Sequence, residues 1–189
     1  MKHDMNYYIR NYKSIQLPDE SDKTAIHRLQ TELLQAAFAE ASGGVLLAEE
    51  ELLPKRTASG KPYLPSHPDF HYNFSDSGDY LVLAVSPDRP IGVDLQKIVP
   101  VRSGPLRMAE RFFHPAEIRL LSACENAEEQ YLLFFRIWTI KEAFLKCTGE
   151  GLSGGLSRFP IDFSRQRIGN CRFTELIPPA AGYFLTVCE

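Results

Sequence analysis

The residues best suited to chemistry in this sequence are Trp138, Glu142 and Lys146, which recur every fourth position. At 3.6 residues per turn they stack along one stripe of a helix. The residues around them, over 131–147, are apolar on nearly every side, which indicates a mostly buried helix. A carboxylate and an ammonium there need partners, because unpaired buried charge is costly. Either Glu142 and Lys146 form an i, i+4 ion pair, or they face a cleft that holds a cation and an anion.

A second set of polar residues lies on a predicted strand over 91–96. Strict alternation places Asp94 and Gln96 on one face of this strand, and Gly92 leaves room beside them for a ligand. Aspartate is depleted in strands, so Asp94 calls for an explanation. Together with Glu142, these side chains offer the oxygen ligands that a hard cation such as Mg²⁺ prefers.

Three further residues are candidates for binding phosphate. Lys61, held between a glycine and a proline, can meet an anion as a point charge. Ser75 begins the polar segment 75–79, which predicts either a plain turn between two strands or an anion-binding nest. Arg28 lies near the start of a helix predicted over 23–41 and is either a solvated charge or a phosphate contact.

The elements that must position these residues occur in a repeated order. In each half of the sequence a helix is followed by antiparallel strands, so the chain contains a faint internal repeat. A proline-bounded linker at 87–90 separates the predicted halves, 1–88 and 89–189. The other predicted strands span 5–12, 70–74, 80–86, 157–163, 171–177 and 182–188, and the other predicted helices span 102–113 and 114–124.

The composition is that of an ordinary globular protein. The chain has 189 residues, of which 44% are hydrophobic and 24% charged, and its formal net charge is −3. This balance predicts no nucleic-acid partner and no membrane partner. The four cysteines have no zinc-ligand spacing, and neither a signal peptide nor an apolar run of ~20 residues is present, which predicts a cytoplasmic protein.

The order of the candidate residues resembles that of the Sfp-like 4′-phosphopantetheinyl transferases. The resemblance runs from about Ile26 to Leu156, and its last motif is the most specific. The matching segments are Gly60-Lys61-Pro62, Asn73-Phe74-Ser75-Asp76-Ser77, Gly92-Val93-Asp94-Leu95-Gln96, Arg111-Phe112-Phe113 with Glu117, and Trp138-Thr139-Ile140-Lys141-Glu142-Ala143-Phe144-Leu145-Lys146.

The resemblance implies an α+β fold and a transferase. It implies a monomer of two pseudo-symmetric halves, each with antiparallel strands packed on a long helix, and an active site in the cleft between them. The implied reaction moves 4′-phosphopantetheine from coenzyme A to a serine of an apo acyl or peptidyl carrier protein. Adenosine 3′,5′-bisphosphate is released, and Mg²⁺ is the implied cofactor.

The resemblance also implies roles for the residues around the metal. Asp94 and Glu142 stand at the positions of metal-binding carboxylates, and Gln96 stands at a third metal position where the family commonly has glutamate. Glu142 is the implied general base towards the carrier serine. Lys146 is the implied phosphate clamp and proton donor to the leaving group.

Coenzyme A itself is expected to contact a further set of residues. Lys61 and Ser75 fall where the family holds the coenzyme A phosphates, and Arg28 is a further candidate contact. Asp76 stands beside them where the family usually has histidine. The departures at Gln96 and Asp76 leave open a degenerate protein that binds coenzyme A or a carrier without transfer. A second alternative is a Mg²⁺-dependent phosphodiesterase that uses the same carboxylates on water.

Overall fold

Two antiparallel sheets and the long helices packed on them form the main body of the structure. The computed structural model describes residues 5–151 and 155–189, and these form an α+β fold, as predicted. The helices are α1 (Asp22–Ala41), α2 (Pro105–Phe112), α3 (Pro115–Ser122) and α4 (Ala127–Thr148). The strands are β1 (Asn6–Asn11), β2 (Lys55–Arg56), β3 (Pro62–Tyr63), β4 (His71–Ser77), β5 (Tyr80–Ser86), β6 (Gly92–Lys97), β7 (Ile161–Asp162), β8 (Arg167–Ile168), β9 (Cys171–Glu175) and β10 (Tyr183–Cys188).

The strand order separates the chain into an N-terminal and a C-terminal sheet. The first sheet has the order β1-β5-β4 and the second has the order β6-β10-β9-β8-β7, while β2 and β3 form a small hairpin. One face of β5 packs on α1, and the alternate residues of β5 pack on β6 and β10. Helix α4 covers the opposite face of β6 and β10. Each sheet therefore carries one long helix, and a shared apolar cluster joins the sheets.

Local signals explain where the two long helices begin. Ser21 caps α1 by accepting a hydrogen bond from the Thr24 N–H, and Asn126 caps α4 by accepting one from the Glu129 N–H. Gly149 ends α4 in the left-handed conformation, with φ +73°. Helix α4 thus begins four residues before the predicted start at 131, because the Asn126 cap lies ahead of the apolar run.

Three polar side chains of β4 connect the two sheets. Asn73 Oδ1 accepts a hydrogen bond from the Val93 N–H at 2.9 Å, and Ser75 Oγ accepts one from the Leu95 N–H at 3.1 Å. Ser77 Oγ accepts one from the Lys97 N–H at 3.0 Å in the same series. These three hydrogen bonds, called the rungs below, give the N–H groups of β6 the partners that a neighbouring strand would otherwise supply.

The prediction of a turn over 75–79 was therefore wrong in extent. Strand β4 continues to Ser77, and only Gly78 and Asp79 connect it to β5. Gly78 has a φ of +58°, which suits a two-residue hairpin loop. Serine and aspartate favour turns by bonding the local backbone, but Ser75 and Ser77 instead bond the backbone of β6.

The space predicted for a ligand beside Gly92 is occupied by α4. A Cβ atom on Gly92 would lie 2.2 Å from the Ala143 carbonyl oxygen and 2.3 Å from the Cys147 nitrogen. Glycine is required at this position because two backbones approach each other closely. The prediction of ligand space at Gly92 was wrong.

A buried ion pair fixes the chain that follows α4. Lys141 and Glu117 are each 1% exposed, with Nζ 3.2 Å from Oε2. Lys141 also donates to the carbonyl oxygens of Leu156 and Phe159 at 2.7 Å, and Glu117 accepts from two backbone N–H groups at 2.8 Å. Every charge in this pair has several partners, which is the condition for burying it.

The four cysteines are free thiols. Cys147 and Cys171 are buried, with their sulfur atoms 4.0 Å apart. In the described part of the chain, no helix combines the length and the apolar character needed to cross a membrane.

Candidate active site

A cavity of about 420 Å³ lies between the N-terminal and C-terminal elements. Its size is typical of a site for a small molecule or cofactor. Helix α1, the segment from Leu52 to Pro62, strand β4 and the last turns of α4 all contribute to it. Its lining residues are His27, Gln30, Thr31, Leu34, Leu52, Pro54, Arg56, Ser59, Gly60, Lys61, Pro62, Tyr72, Asn73, Phe74, Asp76, Glu142, Leu145, Lys146, Gly149 and Gly151.

The ammonium of Lys146 joins the two sheets at one end of this cavity. Its Nζ lies 2.7 Å from Asp94 Oδ1 and donates to Ser75 Oγ at 3.0 Å. Ser75 Oγ in turn donates to Asp94 Oδ1 at 3.2 Å. Asp94 and Ser75 are buried and do not line the cavity themselves, but both bond Lys146, which does. The ion pair of Lys146 is thus with Asp94, and the described residues contain no Glu142–Lys146 salt bridge.

Glu142 lies one turn before Lys146 and is half-buried at the cavity wall. Its carboxylate receives no hydrogen bond from the described residues. Burial and the nearby charge of Asp94 raise the pKa of Glu142 to about 6, while Lys146 acts in the opposite direction. A carboxylate with this pKa is ionised at neutral pH and is a stronger base than an exposed glutamate.

The carboxylates of Asp94 and Glu142 fit a small hard cation. Oδ2 of Asp94 is buried and has no hydrogen-bond partner among the described residues, so nothing offsets the cost of removing this oxygen from water. Burial raises the pKa of Asp94, against the opposing effects of Lys146 and Ser75, which shows that a positive charge would stabilise its ionised form. The described residues contain no cluster of three acidic, histidine or cysteine ligands, so substrate oxygens and water would have to complete the coordination.

Gln96 and Asp76, the two departures from the family pattern, lie at different places. Gln96 is half-buried, and its side-chain amide donates to the Lys97 carbonyl oxygen at 3.1 Å. It shares its strand face with Asp94, as predicted from alternation, and its part in metal binding stays a prediction. Asp76 is exposed and lines the cavity, so its negative charge faces any ligand bound there.

Lys61 lines the cavity and also links the two halves of the chain. Its Nζ donates to the Cys147 carbonyl oxygen at 2.6 Å and to the Ile91 carbonyl oxygen at 3.1 Å. Burial lowers the pKa of Lys61. An ammonium has three donors, of which two hold the end of α4 against the residue before β6, and the third makes no hydrogen bond to the described residues. That Lys61 binds an anion stays a prediction.

Arg28 is paired with acidic side chains. Its guanidinium bonds Glu20 at 3.0 and 3.1 Å and Glu32 at 3.1 Å. Its neighbour His27 lines the cavity, whereas Arg28 does not. That Arg28 contacts coenzyme A stays a prediction.

Sequence reasoning missed several residues of the cavity wall. His27, Gln30 and Thr31 form a polar stripe on α1, at the i, i+3 and i+4 spacing of one helix face. That spacing was visible in the sequence. Tyr72 and Arg56 had no comparable signal, because their place in the cavity depends on how β4 meets the segment before β3.

Comparisons of the sequence with known proteins point to one superfamily. Residues 90–188 match the model of the 4′-phosphopantetheinyl transferase superfamily. The chain is 43% identical over 129 residues to the 4′-phosphopantetheinyl transferase psf-1 of Bacillus pumilus, covering 68% of this chain and 53% of that protein. It is 42% identical over 102 residues to a 4′-phosphopantetheinyl transferase of Bacillus subtilis, covering 54% of this chain and 43% of the relative.

A more distant relative extends the similarity to an animal protein. The chain is 33% identical over 134 residues to the human L-aminoadipate-semialdehyde dehydrogenase-phosphopantetheinyl transferase, covering 63% of this chain and 43% of that protein. The matches span about half the length of these curated relatives.

Proposed function

Because the chain belongs to the 4′-phosphopantetheinyl transferase superfamily, we propose that it transfers 4′-phosphopantetheine from coenzyme A to a serine of an apo carrier protein. The observation that carries the proposal is the meeting of Glu142, Lys146 and Asp94 at one end of a cavity large enough for a nucleotide. The proposed acceptor is an acyl or peptidyl carrier protein, and the proposed second product is adenosine 3′,5′-bisphosphate.

The proposed chemistry is a displacement at the phosphorus that carries pantetheine. Glu142 accepts the proton of the carrier serine as its oxygen attacks this phosphorus. Lys146 stabilises the charge on the oxygen that leaves with the adenosine bisphosphate and donates a proton to it. Asp94 and Glu142, with Gln96 as a third candidate ligand, would hold Mg²⁺, which would supply positive charge to the diphosphate.

The remaining proposed contacts hold the substrate in place. The free donor of Lys61 faces the phosphates of coenzyme A, and Ser75 holds Lys146 in position to do the same. Asp76 lies within the same wall and weakens anion binding. Arg28 stays a candidate contact that would first have to leave Glu20.

The proposed setting is a reducing cytoplasm. Four free thiols support this setting. The net charge of −3 gives no general attraction to nucleic acid or to an anionic membrane surface, so neither is a proposed partner. We propose that the protein acts as a monomer, since one chain supplies every residue of the site.

One mass measurement tests the proposed function. Purified protein is incubated with Mg²⁺, coenzyme A and a panel of apo acyl and peptidyl carrier proteins. The mass of each carrier is then measured by mass spectrometry. A carrier that gains one phosphopantetheine group on its serine is the expected result. Binding of coenzyme A without any mass gain would indicate the degenerate protein, and cleavage of coenzyme A without a carrier would indicate a phosphodiesterase.

A further inference from the structure

The hydroxyl of Tyr72 is buried and has no partner. Tyr72 is 2% exposed, and its Oη makes no hydrogen bond within residues 5–151 and 155–189. In those ranges the other fully buried side-chain nitrogen and oxygen atoms are satisfied, except Asp94 Oδ2. Phenylalanine would fill nearly the same space without desolvating a hydroxyl, so this hydroxyl destabilises the ligand-free protein. A ligand that accepts a hydrogen bond would remove that cost.

Tyr72 forms part of the cavity wall, so a ligand in the cavity would lie beside it. Tyr72, Phe74 and Asp76 alternate along β4, and all three line the cavity. The rings of Tyr72 and Phe74 meet edge to face with centroids 5.9 Å apart, and Leu34 and Leu52 add apolar surface. The part of the wall around Tyr72 is therefore largely aromatic and apolar, with Arg56 nearby, whereas Glu142 and Lys146 bring charge to the same cavity.

The Tyr72 hydroxyl keeps its proton at neutral pH and can therefore donate a hydrogen bond. Burial raises the pKa of Tyr72 to about 12, and the positive charge of Arg56 acts in the opposite direction. The hydroxyl is therefore protonated at neutral pH, and a cationic side chain is near it. A flat heterocycle with unprotonated ring nitrogens, attached to phosphate, has the chemistry that matches these neighbours.

The proposed reaction determines which half of coenzyme A lies here. The pantetheine half must reach a serine on another protein, so it has to leave the cavity during the reaction. The nucleotide half stays bound until the chemistry is complete, and an aromatic end of the cavity suits its base. We propose that the Tyr72 hydroxyl donates a hydrogen bond to an acceptor atom of the purine base of coenzyme A. This inference rests on the proposed function.

A pair of tyrosine substitutions tests the inference. Tyr72→Phe removes the unpartnered hydroxyl. Tyr12→Phe is the matched control, because Tyr12 is also buried, at 5% exposure, but its hydroxyl donates to the Gly78 carbonyl oxygen at 2.8 Å outside the cavity wall. Stability is measured by urea unfolding of the ligand-free proteins, and affinity is measured by calorimetry with coenzyme A, adenosine 3′,5′-bisphosphate and 4′-phosphopantetheine.

The two variants are expected to behave in opposite ways. Tyr72→Phe should leave the ligand-free protein as stable as wild type or more stable, and should weaken binding of coenzyme A and adenosine 3′,5′-bisphosphate by about five- to twentyfold. Its affinity for 4′-phosphopantetheine should not change. Tyr12→Phe should lower stability and leave all three affinities near wild type.

Three outcomes would overturn the inference. Unchanged affinity of Tyr72→Phe for coenzyme A would show that the hydroxyl touches no ligand, while the proposed function would stand if transfer still occurs. A loss seen only with 4′-phosphopantetheine would assign the hydroxyl to the other half of the substrate. If wild-type protein binds none of the three ligands and transfers nothing, the inference and the proposed function fail together.

Discussion

Lys146 both neutralises a buried carboxylate and lines the cavity. In the ligand-free protein its ammonium is held by Asp94 and Ser75, and it also lines the cavity. The same charge that neutralises buried Asp94 is thus available to phosphate. The spacing of Glu142 and Lys146 left two interpretations open, an ion pair between them or a shared cleft, and both residues line the cavity. The spacing could not identify Asp94 as the partner of Lys146, because α4 and β6 meet only in the folded chain.

Substitution of Lys146 tests the role proposed for it in the transition state. Lys146→Ala should lower kcat more than it raises KM, because negative charge builds on the leaving oxygen as the diphosphate breaks. Lys146→Arg keeps the charge and should recover part of kcat. Steady-state transfer rates measure both. A pure KM effect in Lys146→Ala would reduce Lys146 to a residue that binds substrate.

Asp76 offers a prediction about charge in the cavity wall. Asp76→Asn should bind coenzyme A more tightly than wild type by a few-fold, because it removes a like charge from the neighbourhood of phosphate. Asp79→Asn is the matched control, since Asp79 lies three residues on and outside the cavity wall. Calorimetry at low salt measures both affinities. Equal effects in the two variants would mean that only the net charge matters.

At the level of secondary structure, the rungs, which are the hydrogen bonds from β4 side chains to the β6 backbone, explain much of the segment Asn73-Phe74-Ser75-Asp76-Ser77. Ser75 and Ser77 were expected in a turn or around an anion, and Asn73 in a strand, and each of the three accepts a hydrogen bond from a backbone N–H of β6. Periodicity predicted most helices and the longer strands, since those patterns are local. The rungs, the close approach at Gly92 and the walls of the cavity depend on residues far apart in sequence, so no local pattern indicates them.

The rungs predict a graded loss of stability along β4. Asn73→Ala should lower the free energy of unfolding by about 1–3 kcal/mol, because the buried Val93 N–H would lose its partner. Ser77→Ala should cost less, because the Lys97 N–H at the other end is exposed and can bond water. Urea unfolding compares the two variants. A larger cost for Ser77→Ala would contradict the proposed order.

The buried pair of Lys141 and Glu117 predicts a strong effect away from the cavity. Lys141→Met should lower the free energy of unfolding by about 3–5 kcal/mol, because Glu117 would remain buried without its counter-charge. Lys13→Met is the control: Lys13 pairs with Asp22 at 2.6 Å, but both side chains are largely exposed. Little difference between the two variants in urea unfolding would argue against a structural role for Lys141.

At the scale of the whole molecule, the cavity is shared by both predicted halves. Helix α1 and strand β4 of the first half and α4 of the second half all line it. The ammonium of Lys61, in the first half, bonds two carbonyl oxygens of the second half, and that of Lys146 bonds Ser75 in the first half and Asp94 in the second. The family resemblance implied the α+β class and a long helix packed on each sheet, and the repeated order of elements was consistent with it. The division at 1–88 and 89–189 and the pseudo-symmetry stay predictions.

The role proposed for Glu142, as the base in phosphopantetheinyl transfer beside Asp94 and Lys146, is tested by the transfer rate of Glu142→Gln. The substitution keeps the size of the side chain but removes both the candidate base and a metal-binding charge. With a carrier that wild type modifies, we expect the rate of mass gain to fall at least about a hundredfold. A rate within about tenfold of wild type, which is under ~1.4 kcal/mol of barrier, would contradict it.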